Sequence, residues 1–173
     1  MSNAAEALPS WDLTDLYPAP DSPAVEADFT RAAADAKAFA AAYAGRLADL
    51  SGAKLAAAIA EYERIEEILG RVASYSGLLF AGDSSDPVIG KFYQMVTERV
   101  TAISGDLLFF TLELNRLDDV LLERKLADPA LARYRPWLRD LRVFRLFVPR
   151  PELKDVAHDG VDRLGAALLA RHQ

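Results

Sequence analysis

The distribution of proline restricts what this chain can fold into more than any other feature. Apart from Pro87, its nine prolines lie within 9–23 and 129–151, so 24–86 and 88–128 contain none. Proline breaks a helix interior because it lacks a backbone N–H and clashes with the preceding turn. Stretches of this length without it favour long helices. With no alternating strand pattern in the chain, the sequence predicts an all-α fold.

Capping residues and side-chain spacing predict three long helices over about 22–45, 51–81 and 86–115. Each begins with a serine or aspartate that can cap a helix, and in two of them proline follows at the first helical position. Mostly apolar residues recur at steps of three and four, which places them on one face. The three inward faces are Val25, Phe29, Ala32, Ala36, Phe39 and Tyr43; Leu55, Ile59, Tyr62, Ile65, Leu69, Val72, Ser76 and Leu79; and Ile89, Phe92, Val96, Val100, Ile103, Leu107, Phe110 and Leu114.

The second and third helices are expected to pack antiparallel as a long hairpin or bundle, because the connection from Gly82 to Asp86 is short. A short fourth helix is expected over Asp118–Ala127. A fifth is expected from Pro129 to about Phe144.

Three segments are expected along the chain. An extended N-terminal strap covers 1–20, and the helical domain covers 21–145. The tail, 146–173, contains apolar residues at helical spacing and is expected to be helical at 160–172.

Charge and composition argue against several classes of protein. The formal net charge is −6, divided between −10 over 1–128 and +4 over 129–173, and this acidic majority argues against nucleic-acid binding. The chain has no cysteine, which excludes disulfides and thiolate metal sites. No apolar run reaches the length of a membrane span. Residues 1–8 lack the positive region and apolar core of a secretory signal, so the expected location is cytoplasmic.

Three local patterns occur in order along the chain. The first is the part of the strap from Trp11 to Pro18. The second is a helix end at Tyr75-Ser76, followed by the connection 83–87 and by a long helix that ends in Leu-x-Phe-Phe-x-x-Glu-Leu at 107–114. The third is Leu-x-x-Tyr-x-x-Trp-Leu-x-x-Leu-Arg at 131–142. Over about 10–145, the chain thereby resembles the N-terminal region of the oligoendopeptidase F family, which are thimet-oligopeptidase-like zinc metallopeptidases.

This resemblance implies an enzyme that hydrolyses short peptides inside the cell, with a zinc-bound water in a channel between helical lobes. In such enzymes a His-Glu-x-x-His helix supplies two zinc ligands and a general base, and a further Glu downstream completes the site. Those elements lie beyond the region that matches. The implied role is a non-catalytic lobe that shapes the substrate channel, with zinc in the missing catalytic domain and with that domain and short peptides as partners.

The chain itself carries no recognisable catalytic motif. It has no His-Glu-x-x-His, and its two histidines, His158 and His172, are too few for a zinc site and are expected at the surface. After Arg145 the sequence departs from the family pattern, as expected for a shortened, divergent or frame-shifted gene product or for an altered tail. No catalytic, cofactor-binding or metal-binding residue is predicted, and the chain alone is expected to be inactive.

Other residues suggest chemistry but have simpler interpretations. Trp11 and Tyr17 are expected to pin the strap onto the helical core rather than to bind peptide. Asp12 and Asp15 form an acid/base pair only in a pocket that the sequence does not indicate. The arginines near the C-terminus are expected to pair with acidic residues of the chain or of a neighbouring domain; they are Arg133, Arg135, Arg139, Arg142, Arg145 and Arg150.

The outer face of the second helix is expected to be solvated, with Glu67 and Arg71 forming a favourable pair four residues apart. Apolar residues at the edges of the long helices, Ile68, Leu78 and Leu108, are expected to be exposed without the catalytic domain. Their exposure predicts a homo-oligomer at high concentration. The alternative function is a free-standing helical interaction or scaffold module, or a remnant of a truncated peptidase gene.

Overall fold

The computed structural model describes residues 11–143 and confirms the all-α fold. In this range 81% of residues are helical and no strand occurs. The expected tail helix at 160–172 lies outside the described residues. The α-helices are α1 (Pro23–Tyr43), α2 (Gly52–Gly82), α3 (Pro87–Arg116), α4 (Asp119–Leu126) and α5 (Arg135–Val143), and Leu47–Asp49 and Pro129–Tyr134 form 3₁₀ turns.

The helices begin where the sequence supplies side-chain caps. The hydroxyl of Ser22 accepts a hydrogen bond from the Ala24 N–H at the start of α1, and that of Ser51 accepts from Lys54 at the start of α2. The carboxylate of Asp86 accepts from the first free N–H groups of α3, and that of Asp118 does so for α4. Each cap satisfies donors that a helix terminus leaves unpaired, which is typically worth about 1 kcal/mol.

The expected antiparallel packing of α2 and α3 is confirmed by the order of their ring contacts. Tyr62, early in α2, lies 5.1 Å from Phe110, late in α3, whereas Tyr75, late in α2, lies 6.0 Å from Phe92, early in α3. The third helix of the bundle, α1, contributes Phe39, which lies 5.0 Å from Phe110 and 6.2 Å from Tyr62. The core therefore lies where all three long helices meet.

Most residues of the expected inward faces are buried. Phe29, Phe39 and Phe110 have no exposed surface at all, and burial of a side chain of this size stabilises the fold by roughly 1.5–3 kcal/mol. Several members at the edges of the stripes are only half-buried, because they lie beside the core rather than inside it. These are Tyr43, Tyr62, Leu79, Ile89 and Val100.

The start of α2 approaches the end of α4 closely. A Cβ added at Gly52 would collide with the Asp128 side chain and would lie 2.6 Å from the carbonyl oxygen of Lys125. Lys125 also donates from Nζ to the carbonyl oxygens of Ala48, at 2.8 Å, and Leu50. Glycine at position 52 therefore allows α4 to sit against the connection between α1 and α2.

The expected fifth helix is divided in two. Pro129–Tyr134 is a 3₁₀ turn, and α5 begins only at Arg135. Pro136 has no N–H to donate to the carbonyl of residue 132, so an α-helix cannot run continuously from Pro129. Judged by its internal contacts, the chain divides into two units. The first, Met1–Arg133, contains α1 to α4, and the second begins at Tyr134 and contains α5. Leu138 of α5 is buried. Within the described residues, no helix is both long and apolar enough to cross a membrane.

Candidate functional site

Residues 11–143 contain no group of three His, Cys, Asp or Glu side chains placed to hold a metal ion. His158 and His172 lie outside the described residues. The features that remain are the strap, the charged seams between helices and the exposed apolar residues of α2 and α3.

Tyr17 anchors the strap, whereas Trp11 does not. Tyr17 is 3% exposed, and its hydroxyl donates to Asp28 Oδ2 at 2.6 Å. Its ring lies 5.2 Å from the ring of Tyr75, and the guanidinium of Arg71 lies 5.7 Å from its centroid. Trp11 is 78% exposed. The expected pinning of the strap is therefore confirmed for Tyr17, whose ring and hydroxyl both have partners on the helices, and is wrong for Trp11, whose side chain lies mostly in solvent.

The environment of Tyr17 favours its neutral phenol. Burial, together with the hydrogen bond to Asp28 and the charge of Asp28, raises the pKa of Tyr17 to about 12, against an opposing effect of Arg71. Loss of the phenolic proton would place a second negative charge beside Asp28 Oδ2. This arrangement suits a structural anchor and not a general base near neutral pH.

Asp12 does not have the environment of a general acid. Its Oδ1 accepts hydrogen bonds from the Thr14 N–H at 3.0 Å and the Thr14 hydroxyl at 2.7 Å, which close a local turn at the surface. The hydroxyl of Thr14 lowers the pKa of Asp12. A general acid needs a raised pKa, so the structural interpretation of this carboxylate is the better one.

The charged face of α2 forms seams with neighbouring elements. Arg71 donates to Asp28 of α1 at 3.0 Å, so the expected pair of Glu67 with Arg71 is wrong. Glu67 and Arg71 do have the spacing of an ion pair along one helix. Arg71 pairs instead with Asp28, because α1 lies beside α2 and the Asp28 side chain is only 19% exposed. Ion pairs also join Arg64 to Asp35 at 3.4 Å and Glu63 to Arg133 at 2.8 Å. The arginines near the C-terminus were expected to pair with acidic residues, and the Glu63–Arg133 pair confirms this for Arg133.

A bidentate pair joins α1 to α3. Arg99 donates to both carboxylate oxygens of Glu26, at 2.5 and 2.9 Å, and its guanidinium lies 4.1 Å from the ring centroid of Phe29. The hydrogen bond from Arg99 lowers the pKa of Glu26. The planar guanidinium suits both contacts at once, which lysine would not provide.

Exposed apolar side chains occur along α2 and α3, although not all those expected. Leu108 is 57% exposed and Leu78 is 36% exposed, as predicted, but Ile68 is 5% exposed and belongs to the core. Ile68 precedes Leu69 on the inward face of α2, and the core is wide enough to include both. Near the α2–α3 connection, Tyr93 is 38% exposed and stacks on Phe80 with ring centroids 4.8 Å apart.

Several glycines within the long helices face open space. A Cβ added at Gly70, Gly77 or Gly105 would meet no atom within 4 Å. Glycine in a helix interior typically costs about 0.5–1 kcal/mol relative to alanine, and nothing in the described part of the chain requires it at these positions. Together with Leu108 and Tyr93, these glycines define the candidate contact surface of α2 and α3.

Lys125 is the structural residue that sequence reasoning missed. It is 7% exposed although it belongs to an otherwise charged stretch of α4, and burial lowers its pKa. The available signal was its position three residues after the buried Leu122, on the inward face of a short helix.

No family model, curated protein or solved structure matches this chain. Its function must therefore be argued from the local sequence patterns and from the geometry of the bundle.

Proposed function

We propose that this chain is a non-catalytic helical lobe of an oligoendopeptidase F-type zinc metallopeptidase. In this role it packs against the peptidase domain, walls one side of the substrate channel and limits entry to short peptides. The observation that carries the proposal is the candidate contact surface of α2 and α3, where exposed apolar side chains and open glycines occur on two helices of 31 and 30 residues. Such a surface suits close approach by a second protein body.

The residues that carry the sequence resemblance support the proposal at the level of fold. In the strap pattern the buried residue is Tyr17, and in the second pattern Tyr75 and Phe110 are buried in the core. In the third, Leu131 and Leu138 are fully enclosed. The shared residues are thus those that specify packing, and the chemistry is assigned to the catalytic domain.

Zinc has its place in that domain under this proposal. The metal there would activate a water for attack on the peptide carbonyl. This chain would form the channel wall and would provide no ligand to the metal. The proposed location of the enzyme is intracellular, in keeping with the lack of cysteine in this chain.

Binding to a peptidase domain tests the proposal directly. The full chain is mixed with the separately produced His-Glu-x-x-His domain of an oligoendopeptidase F-type enzyme from the same genome, and the affinity is measured by calorimetry. We expect association that Leu108→Glu weakens at least about tenfold, because a charge would be buried in an apolar contact. Val120→Glu on α4, where the side chain is 60% exposed, is the matched control and should leave the affinity unchanged.

Failure of the wild-type chain to bind any such domain would contradict the proposal. Association that both variants weaken equally would place the contact elsewhere than on α2 and α3. A gene that continues after residue 173 into a His-Glu-x-x-His segment would support it independently, whereas binding to an unrelated protein alone would favour the interaction module.

A further inference from the structure

Residues 11–20 of the strap make few bonds to the helical bundle, and those bonds converge on one side chain. Within residues 11–20, the backbone hydrogen bonds are local, from the N–H groups of Leu16 and Tyr17 to the carbonyl of Leu13 at 3.0 and 3.2 Å. The side-chain hydrogen bonds of Asp12 and Thr14 are also local. In this range, only the hydroxyl of Tyr17 bonds to a helix of the bundle.

Burial in the strap is equally uneven. Tyr17 is the buried residue of 11–20, while Leu13 and Leu16 are only half-buried and Trp11 is exposed. Within 11–20, Tyr17 is therefore the side chain most completely removed from water. A segment with little buried apolar area and no backbone bonds to its neighbours has a low free energy of local opening.

The residues that Tyr17 contacts are held in place by α1, α2 and α3 without the strap. Asp28 Oδ2 accepts from both the Tyr17 hydroxyl and Arg71, so the ion pair between α1 and α2 does not depend on the strap. The Tyr75 ring belongs to α2 and also contacts Phe92 of α3. Release of Tyr17 would therefore leave the bundle assembled.

Prolines and one hydrogen-bonded turn restrict the chain between Tyr17 and α1. Pro18 and Pro20 each fix their own φ angle, the N–H of Ser22 closes a turn on the carbonyl of Ala19 at 3.1 Å, and Pro23 fixes the first turn of α1. Because this turn joins directly onto α1, the freedom gained when the anchor is lost falls on the residues before it.

We propose that residues 11–20 of the strap open and close as a unit on the intact helical bundle, with Tyr17 as the single anchor in this range. Opening exposes the ring of Tyr75 and one hydrogen-bonding site on Asp28 Oδ2. The proposal concerns this chain alone and is independent of the proposed peptidase role.

Amide hydrogen exchange of the full chain, resolved by residue, tests the proposal. The strap is followed through the amides of Leu16 and Tyr17, and the bundle is followed through those of Leu69 and Val72. Tyr17→Phe should accelerate exchange of the two strap amides by about tenfold, the effect of losing one hydrogen bond to a charged acceptor, and Tyr17→Ala should accelerate it more. The amides of Leu69 and Val72 should keep their wild-type rates in Tyr17→Phe.

Tyr43→Phe is the matched control, because the Tyr43 hydroxyl also donates to a carboxylate, that of Glu61 at 3.1 Å, but joins α1 to α2 and not the strap to the bundle. It should leave the strap amides unchanged. Strap amides that exchange only at the rate of the core amides, or that do not respond to Tyr17→Phe, would overturn the proposal. Equal acceleration of strap and core amides in Tyr17→Phe would also overturn it, since Tyr17 would then stabilise the whole fold.

Discussion

Individual side chains decide how the connections of this protein are held. Lys125 places a nearly buried ammonium group between the carbonyl oxygens of Ala48 and Leu50, and the carboxylate of Glu113 accepts from the N–H of Gly45 at 2.6 Å. The connection between α1 and α2 is thereby tied to α4 at one point and to α3 at another. Neither bond is between residues that are close in sequence.

Lys125→Met should destabilise the protein by about 1–3 kcal/mol. The apolar volume is largely kept, but two carbonyl groups lose their donor in a site with little access to water. Chemical denaturation at neutral pH measures the change. Lys91→Met, at an exposed position of α3, is the control and should have little effect. Equal stability of both variants would show that water replaces the ammonium group without cost.

The raised pKa of Tyr17 predicts that the stability of the folded protein falls at alkaline pH. Its pKa is about 12 in the folded protein against an ordinary value of 10.0. Because the folded state raises this pKa, its stabilising contribution is complete below about pH 10 and is lost as the pH rises to about 12. The stability advantage of the wild type over Tyr17→Phe should therefore shrink across this range in urea unfolding. A constant difference would show that the phenol does not ionise with this linkage.

Secondary-structure elements carry two kinds of glycine with opposite effects. Gly45 ends the turn after α1 with a φ of 74°, a region that favours glycine, and the site itself has open space around it. Gly77 lies inside α2 with ordinary helical geometry and equally open surroundings. The backbone conformation, and not the available volume, distinguishes the two positions.

Gly45→Ala and Gly77→Ala should therefore change stability in opposite directions. Alanine in the left-handed region costs about 1–2 kcal/mol, whereas alanine in a helix interior gains about 0.5–1 kcal/mol. Thermal unfolding of the two variants measures both effects. If Gly77→Ala also weakens binding to a peptidase domain while raising the melting temperature, the glycine is retained for close contact. A destabilised Gly77→Ala would contradict the open surroundings described above.

On the scale of the whole molecule, the chain is expected to bind no stoichiometric zinc and to cleave no peptide by itself. The sequence contains no His-Glu-x-x-His, and its two histidines, His158 and His172, are too few for a zinc site. Metal analysis after purification without chelators and assay with a short fluorogenic peptide check both statements. One tightly held zinc per chain, with cleavage that a chelator blocks, would contradict them.

Self-association is the second expectation on this scale. Without a partner on the candidate contact surface, the exposed Leu108 and Tyr93 favour pairing of two copies, because the same surface on each can meet about a two-fold axis. Light scattering over a concentration series should show a dimer or higher oligomer, and Leu108→Glu should shift it towards monomer. The comparison is repeated on residues 1–145. A monomer at all concentrations in both forms would contradict the expectation.

The sequence by itself determined the helices of the bundle and their inward faces. Caps such as Ser22 and Asp86, prolines and the spacing of apolar residues act over a few neighbouring positions, so the bounds of α1, α2 and α3 follow from local chemistry. The short connection before Asp86 sufficed for the antiparallel packing of α2 and α3. Of the candidate contact surface, only Leu108 was predicted from the sequence.

Only the tertiary structure decided which side chains meet. Arg71 pairs with Asp28 rather than Glu67, Ile68 lies in the core, and Lys125 is buried, because each outcome depends on the element that lies alongside. The same holds for Tyr17 and Trp11, two aromatic residues of one strap with opposite exposure. The spacing of residues along the sequence specifies on which side of its own helix a side chain lies. The neighbour it reaches is specified by how the helices pack.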